Sequence, residues 1–145
     1  MFRVVIRAAQ RHSSWIEQQC GVTGAQLWIM QELFETPGLR VGEVAQRLAI
    51  HQTTTSNLLD ALVKRGLISK IRDVNDQRVV KLVLSQEGAA LVRKAPQPAR
   101  GLLPEALRKM PAQDLAALGT GLQALIEAIE LHDDGQGMLP LPFTM

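Results

Sequence analysis

The chain has 145 residues and a net charge of +2, and 46% of its residues are hydrophobic, which is ordinary for one globular domain. Three Phe, two Trp and no Tyr leave Leu, Ala, Val and Ile to fill the core, which favours helix-on-helix packing. One cysteine excludes an intrachain disulfide, and no apolar run reaches the roughly 18 residues of a membrane span, so we expect a cytoplasmic protein without membrane contact.

Two amphipathic helices are predicted at the start of the chain. Apolar residues recur at helical spacing from Met1 to about Gln19, and Gly21 ends this helix. Thr23 and Gln26 have the spacing of a capping box that opens the second helix. One face of this second helix is predicted to consist of Leu27, Met30, Leu33 and Phe34.

A helix-turn-helix is predicted in the middle of the chain. A short helix covers Val41 to Leu48, and a second covers Gln52 to about Arg65, with Gly66 in the left-handed position after its end. Thr55 occupies a position between the helices where Val or Ile is usual, so its hydroxyl needs a backbone carbonyl. The positions predicted to pack the two helices together are Val44, Ala45, Leu48, Ile50 and Leu58.

A β-hairpin is predicted next, from Ile68 to Arg72 and from Val79 to Leu84, with a polar tip at 73–77. Ser85 is expected to cap a helix that runs to about Lys94. Pro96 and Pro98 then interrupt it.

The rest of the chain is predicted to hold a short helix near 103–110, a last helix opened by Pro111 and a loose tail at 133–145. The last helix has a broad apolar stripe: Leu115, Leu118, Leu122, Leu125, Ile126 and Ile129. The fold class is therefore mainly α with a small β-hairpin wing. We expect one domain, in which 23–94 form a winged helix-turn-helix and the helices of 1–20 and 99–132 form a dimerisation layer.

The second helix of the helix-turn-helix presents a short polar face that is almost uncharged before Asp60. Such a face can enter a DNA major groove, where Gln and Asn pair with adenine and hydroxyls bond to bases or phosphates. Because these residue types are also common at solvated helix starts, the face alone does not distinguish a DNA-reading helix from a solvated one. The residues of this face are Gln52, Thr53, Thr54, Ser56 and Asn57.

The hairpin that follows is basic. Arg78 lies just past the tip, where it can reach a minor groove, and Asp76 can orient it or stabilise the turn. Lys70, Arg72 and Lys81 are better placed for phosphates. Charge is also asymmetric along the chain: ten Lys/Arg and five Asp/Glu between residues 40 and 94 give +5, and the remaining residues give −3. This pattern is typical of a nucleic-acid-binding centre, although surface charge can also scatter by chance.

These elements together resemble the MarR family of bacterial regulators. The resemblance lies in the run from Leu48 to Leu59, in Leu62-Val63-Lys64-Arg65-Gly66-Leu67-Ile68, in Asp76-Gln77-Arg78 and in Val80 through Leu84-Ser85-Gln86-Glu87-Gly88. It covers about Thr23 to Lys94 and is weaker in the last helix. Pro96 and Pro98 depart from the family pattern, because they break a helix that is usually long.

The resemblance implies a homodimer built from the first and last helices, which binds double-stranded DNA at a pseudo-palindromic operator and represses transcription until a ligand or oxidation releases it. The DNA-reading positions it implies are Gln52, Thr53, Thr54, Ser56, Asn57 and Arg78. It also implies a pocket for a small effector, commonly an aromatic acid. That pocket could be lined by His12, Trp15, Trp28 and Met30, which could equally be core or helix-interface residues.

Three other functions fit the sequence less well. A winged helix used only for protein contacts has no need for Arg78 and Lys81 beside a neutral polar face. Redox sensing through Cys20 is an alternative, but related sensors surround the thiol with tyrosines, and this chain has none. No phosphate-binding loop, paired-cysteine metal site or nucleophile elbow is present, so we expect no enzyme, no cofactor and no metal.

Overall fold

The computed structural model describes residues 1–129, and the tail predicted at 133–145 lies outside them, as do the last three residues of the predicted dimerisation layer. Within this range the chain forms seven helices and one two-stranded antiparallel hairpin, in agreement with the predicted fold class. In chain order the elements are α1 (Phe2–Cys20), α2 (Gly24–Glu35), α3 (Val41–Leu48), α4 (Gln52–Lys64), β1 (Ile68–Arg72), β2 (Val80–Leu84), α5 (Gln86–Lys94), α6 (Leu102–Lys109) and α7 (Ala112–Ala128).

Local capping explains where the helices begin and end. The predicted capping box is confirmed, since the Gln26 backbone N–H donates to Thr23 Oγ1 at 3.2 Å and the Thr23 N–H donates to Gln26 Oε1 at 3.0 Å. Gly21 ends α1 with φ of 70°, a left-handed conformation that glycine adopts without strain. Ser85 caps α5 by accepting from the Gly88 N–H at 3.0 Å.

One aliphatic core holds α1 to α5 and the hairpin together. Its fully buried side chains come from α1, α2, α3, α4, β2 and the loops next to them, and the largest are Ile16, Leu27, Ile29, Met30, Leu33, Leu59, Leu62, Leu67 and Leu82. Phe34 was predicted on the same face of α2 as Leu27, Met30 and Leu33; unlike these three it is exposed, and Arg93 lies over its ring at 5.6 Å. A core without aromatic rings agrees with the composition.

The helix-turn-helix is closed by its turn. Ala49 has φ of 53°, the left-handed conformation that favours glycine at this position, and the Ile50 N–H donates to the Ala45 carbonyl at 3.1 Å. Thr55 is fully buried between the helices, and its hydroxyl donates to the His51 carbonyl at 3.0 Å, which confirms the requirement predicted for it. The Ile50–Ala45 bond thus closes the turn between α3 and α4, and the buried Thr55 has its hydroxyl satisfied within α4.

The hairpin has a regular antiparallel register, and a residue outside it pairs with β2. Ile68 pairs with Leu84 and Arg72 pairs with Val80, so β2 begins one residue later than predicted. Leu39, between α2 and α3, forms an isolated bridge to Leu82, with the Leu82 N–H donating to its carbonyl at 2.9 Å. The wing is therefore attached to the chain segment that enters α3, a contact that no pattern in the sequence predicts.

The last two helices lie at the edge of this core. α6 and α7 contain no buried residue, and the apolar stripe predicted on α7 has exposed fractions between 38% and 55%. Phe2, Val5 and Ile6 at the start of α1 are exposed as well. A single chain thus leaves two apolar helix faces in contact with solvent.

Candidate nucleic-acid interface

The N-terminal half of α4 presents the polar face predicted to read DNA. Gln52, Thr53 and Asn57 are exposed, and Thr54 and Ser56 are half-buried. Positions i, i+1, i+4 and i+5 of a helix share one side, so 52, 53, 56 and 57 form one surface with 54 at its flank. The positive end of the helix dipole lies at the same end, which favours an anionic partner such as a phosphate backbone.

The wing tip is held by backbone N–H groups that donate to aspartate carboxylates. Asp73 Oδ1 accepts from the Asn75 N–H at 2.8 Å and from the Asp76 N–H at 3.4 Å. Asp76 Oδ1 in turn accepts from the Arg78 backbone N–H at 3.0 Å. Of the two roles considered for Asp76, the structure gives the turn-stabilising one.

Most of the basic side chains of the wing have partners inside the chain. Lys81 Nζ lies 2.7 Å from Asp73 Oδ2, and Lys70 Nζ lies 2.7 Å from Asp60 Oδ1 at the outer side of α4. The Lys81 ammonium and the Asn75 N–H hold the pKa of Asp73 below its ordinary value, so this carboxylate is charged at neutral pH. Lys81 therefore links β2 to the wing tip, and Lys70 links the wing to α4.

Of the two arginine side chains of the wing, Arg72 has a partner within residues 1–129 and Arg78 has none in this range. Arg72 Nη1 donates to the Gln77 carbonyl at 2.9 Å, which closes the tip from the other strand. The guanidinium of Arg78 is exposed and makes no ion pair with any residue in 1–129. Among the four basic residues predicted for the wing, it is the one whose charge is presented to solvent without an internal partner.

Two further residues of this surface were left out of the predicted site. Arg40 stands directly before α3 and is exposed; its backbone N–H donates to Glu43 Oε2 at 2.7 Å, which leaves its guanidinium outside the cap. His51, at the start of α4, is exposed beside Gln52. Their signal in the sequence was position alone, because each immediately precedes a helix of the helix-turn-helix.

The four residues predicted to line an effector pocket do not form one cluster. His12 is buried, its Nε2 lies 2.9 Å from the Pro98 carbonyl oxygen, and its ring lies 5.8 Å from that of the exposed Trp15. Trp28 is half-buried and donates from Nε1 to Glu32 at 3.1 Å, while Met30 lies in the core with no exposed surface. The effector pocket stays a prediction.

Other chemistry has little support in residues 1–129. Cys20 is half-buried against the core, and burial raises the pKa of its thiol, which disfavours the thiolate that reacts with peroxide. No group of three or more His, Cys, Asp or Glu residues in this range could hold a metal ion. None of the described helices is both long and apolar enough to cross a membrane.

Known proteins resemble the chain in sequence. The model of the MarR family matches residues 22–80. The HTH-type transcriptional repressor MdtR of Bacillus subtilis is 34% identical over 47% of this chain and 44% of its own length. The homoprotocatechuate degradative operon repressor of Escherichia coli is 28% identical over 92% of this chain and 88% of its own length. The match spans about half the length of MdtR and of the B. subtilis regulator YsmB.

Solved structures agree with the fold. A MepR-like protein complexed with pseudoligands superposes with a TM-score of 0.63, at 22% identity, over 87% of this chain and 89% of the other. The reduced form of MarR from E. coli superposes with a TM-score of 0.60, at 20% identity, over 87% and 96%.

These relatives are named as transcriptional regulators and repressors. The family model, the regulators and the winged fold of the solved structures coincide on the same elements, namely α2 to the wing, and over these elements the chain is similar to the MarR family.

Proposed function

We propose that the chain is a transcriptional repressor that binds double-stranded DNA sequence-specifically as a homodimer. The observation that carries this proposal is the pairing of a neutral polar face on α4 with a stiff wing that presents Arg78. The face suits base edges in a major groove, and the guanidinium suits the negative potential of a narrow minor groove. A winged helix used only for protein contacts has no need of this combination.

The exposed apolar faces of α1 and α7 support dimerisation. The stripe on α7 leaves Leu115, Leu118 and Leu122 each about 40% exposed in the single chain, and single soluble chains rarely leave such a stripe uncovered. A two-fold interface between these faces would bring two recognition helices to about 34 Å apart, which a pseudo-palindromic operator requires.

Repression, rather than activation, is proposed because MdtR and the homoprotocatechuate operon regulator are both named repressors. By the same resemblance we propose release by a small effector, with an aromatic acid as its class and with His12, Trp15 and Trp28 as candidate contacts. We also propose a cytoplasmic location, since the DNA partner lies there.

The decisive experiment is fluorescence anisotropy with the intergenic DNA upstream of the coding region, measured over a salt series. Each phosphate contact adds about 0.9 to the slope of log K against log salt, so a dimer with several contacts gives a steep slope and a clear preference over random DNA. Asn57→Ala and Thr53→Ala should lower that preference at single operator positions by about 1–3 kcal/mol. Equal affinity for operator and random DNA at every salt concentration would refute the proposal.

A further inference from the structure

A buried carboxylate on α2 binds three donors. The Glu32 side chain is only 8% exposed. Its Oε1 accepts from Arg100 Nε at 2.8 Å and from Trp28 Nε1 at 3.1 Å, and its Oε2 accepts from Arg47 Nη1 at 3.0 Å. Burial acts to raise the pKa of Glu32, but the bonds from Arg100, Arg47 and Trp28 outweigh it and leave the pKa below its ordinary value. The group is therefore an ionised carboxylate with both oxygens satisfied.

The donors come from two different parts of the fold. Arg47 lies in the last turn of α3, the first helix of the helix-turn-helix, and also donates to Thr36 Oγ1 at 3.3 Å. Arg100 lies in the segment 95–101 that leads from α5 to α6, and it binds Glu35 as well, through Nη1 at 3.2 Å and through Nη2. One carboxylate thus joins the DNA-reading module to the start of the arm formed by α6 and α7.

The same segment is also attached on its opposite side. The Pro98 carbonyl bonds to His12 of α1, and Ala95 and Ala99 are buried. Because prolines at 96 and 98 prevent a continuous helix here, no helix backbone carries the direction of the arm from α5 to α6. The direction is defined instead by side-chain bonds across 95–101 together with the packing of α6 against α1.

We infer that Glu32, acting through Arg100 and Arg47, is a positioning residue that fixes the angle between the helix-turn-helix and the α6–α7 arm. Charge-assisted bonds to a planar guanidinium have a narrow geometry, whereas aliphatic contacts tolerate sliding. In the dimer of the proposed function, on which the second readout below rests, this angle sets the separation of the two recognition helices. Glu32 would then select the spacing of operator half-sites without touching DNA.

The first readout is a distance inside one chain. Gln46→Cys on α3 and Ala106→Cys on α6, both at exposed positions, carry spin labels in a Cys20→Ser background, diluted with unlabelled protein. Double electron–electron resonance should give one narrow distance for the parent and a broader or split distribution after Glu32→Gln or Arg100→Gln. Circular dichroism checks that each variant is folded.

The chain supplies a matched control. Arg108 makes a comparable two-bond pair with Glu105, at 2.8 and 3.1 Å, but both residues belong to α6. Arg108→Gln removes the same kind of ion pair without touching α2 or α3, and it should keep the narrow distance. Arg100→Lys keeps the charge but cannot bond Glu32 and Glu35 as a planar fork does, so it should broaden the distribution less than Arg100→Gln.

The second readout is binding to paired half-sites whose spacing is changed one base pair at a time. The parent should prefer one spacing by about tenfold or more, and Arg100→Gln should reduce that preference to a few-fold while preference within each half-site is kept. A merely structural loss would lower affinity at all spacings equally and would overturn the inference. So would an unchanged distance distribution in Arg100→Gln, or equal broadening in Arg108→Gln. If the parent binds no paired site, the proposed function fails, while the spin-label distance still decides the role of Glu32.

Discussion

Gly88, in the first turn of α5, is expected to be intolerant of a side chain. A Cβ built at this position would lie closer to the Leu67 carbonyl oxygen than the 3.0 Å that real Cβ atoms respect, with the Leu67 carbonyl carbon at 3.1 Å and Leu84 Cδ2 at 3.3 Å. If the Leu67 carbonyl moved away, it would lose the hydrogen bond that it accepts from the Ser85 N–H at 3.0 Å. The glycine in the Leu-Ser-x-x-Gly motif is thus needed for contact between α5 and the base of the wing.

The size of the effect follows from two opposing contributions. Replacing glycine by alanine in a helix gains at most about 1 kcal/mol, and less near a helix end. Overpacking against a fixed backbone costs about 1–3 kcal/mol. Taking the upper part of that range, Gly88→Ala should lower the free energy of unfolding by about 2 kcal/mol net. This corresponds to a fall in Tm of about 6–8 °C for a domain of this length.

Thermal unfolding followed by circular dichroism measures this difference. Gly42→Ala is the matched control, since its added Cβ meets only the end of the Gln52 side chain, at 3.9 Å, and its Tm should stay level or rise. A Tm for Gly88→Ala equal to or above that of the parent would show that the wing base yields to a methyl group, and the packing reason given for the motif would be wrong.

Three further outcomes are expected. Arg78→Ala should change sequence preference at positions flanking the half-sites, whereas Lys81→Ala should weaken binding to operator and random DNA alike; because the Lys81 ammonium is paired with Asp73, the salt slope should fall by less than the roughly one unit of a free phosphate contact, as anisotropy can measure. Leu122→Asp combined with Ile126→Asp should abolish dimers, because about 1.5–3 kcal/mol of burial per side chain is lost; a wild-type monomer in sedimentation that still binds operator tightly would contradict this. Cys20→Ser should have the same DNA affinity as the parent, with or without peroxide, since burial disfavours the thiolate. If peroxide released the parent from DNA but not this variant, redox sensing through Cys20 would be supported instead.

Features with a local cause could be predicted from the sequence. The capping box at Thr23, the left-handed Gly66 and the Ser85 cap each depend on residues within a few positions, so their spacing is visible in the chain. The recognition face was predictable for the same reason, because helical periodicity assigns residues to sides. Element bounds consequently agree to within one or two residues.

Features that join distant residues could not be predicted in this way. Glu32 and Arg100 are 68 positions apart, and the single-residue bridge of Leu39 has no periodicity that would reveal a strand. Spacing places Phe34 on one helix face with Leu27, Met30 and Leu33, but its ring lies at the surface under Arg93 while those three are buried. Periodicity states which side of a helix a residue occupies; it does not state whether a neighbour covers that side.

The internal pairing of the wing changes what its positive charge can do for binding. With Lys81 held by Asp73, and Arg72 held by a backbone carbonyl, the tip is ordered in the free protein, so in the DNA complex of the proposed function these two side chains would lose little further entropy. The same pairing neutralises part of the long-range attraction that basic residues otherwise exert on any phosphate backbone. In the complex of the proposed function, such a wing would have lower non-specific affinity and higher selectivity for DNA shape. The reason is that the guanidinium of Arg78, unpaired within residues 1–129, is attracted most strongly where the minor groove is narrow. Together with an uncharged reading face on α4, this favours a regulator that discriminates among sites over a protein that coats DNA.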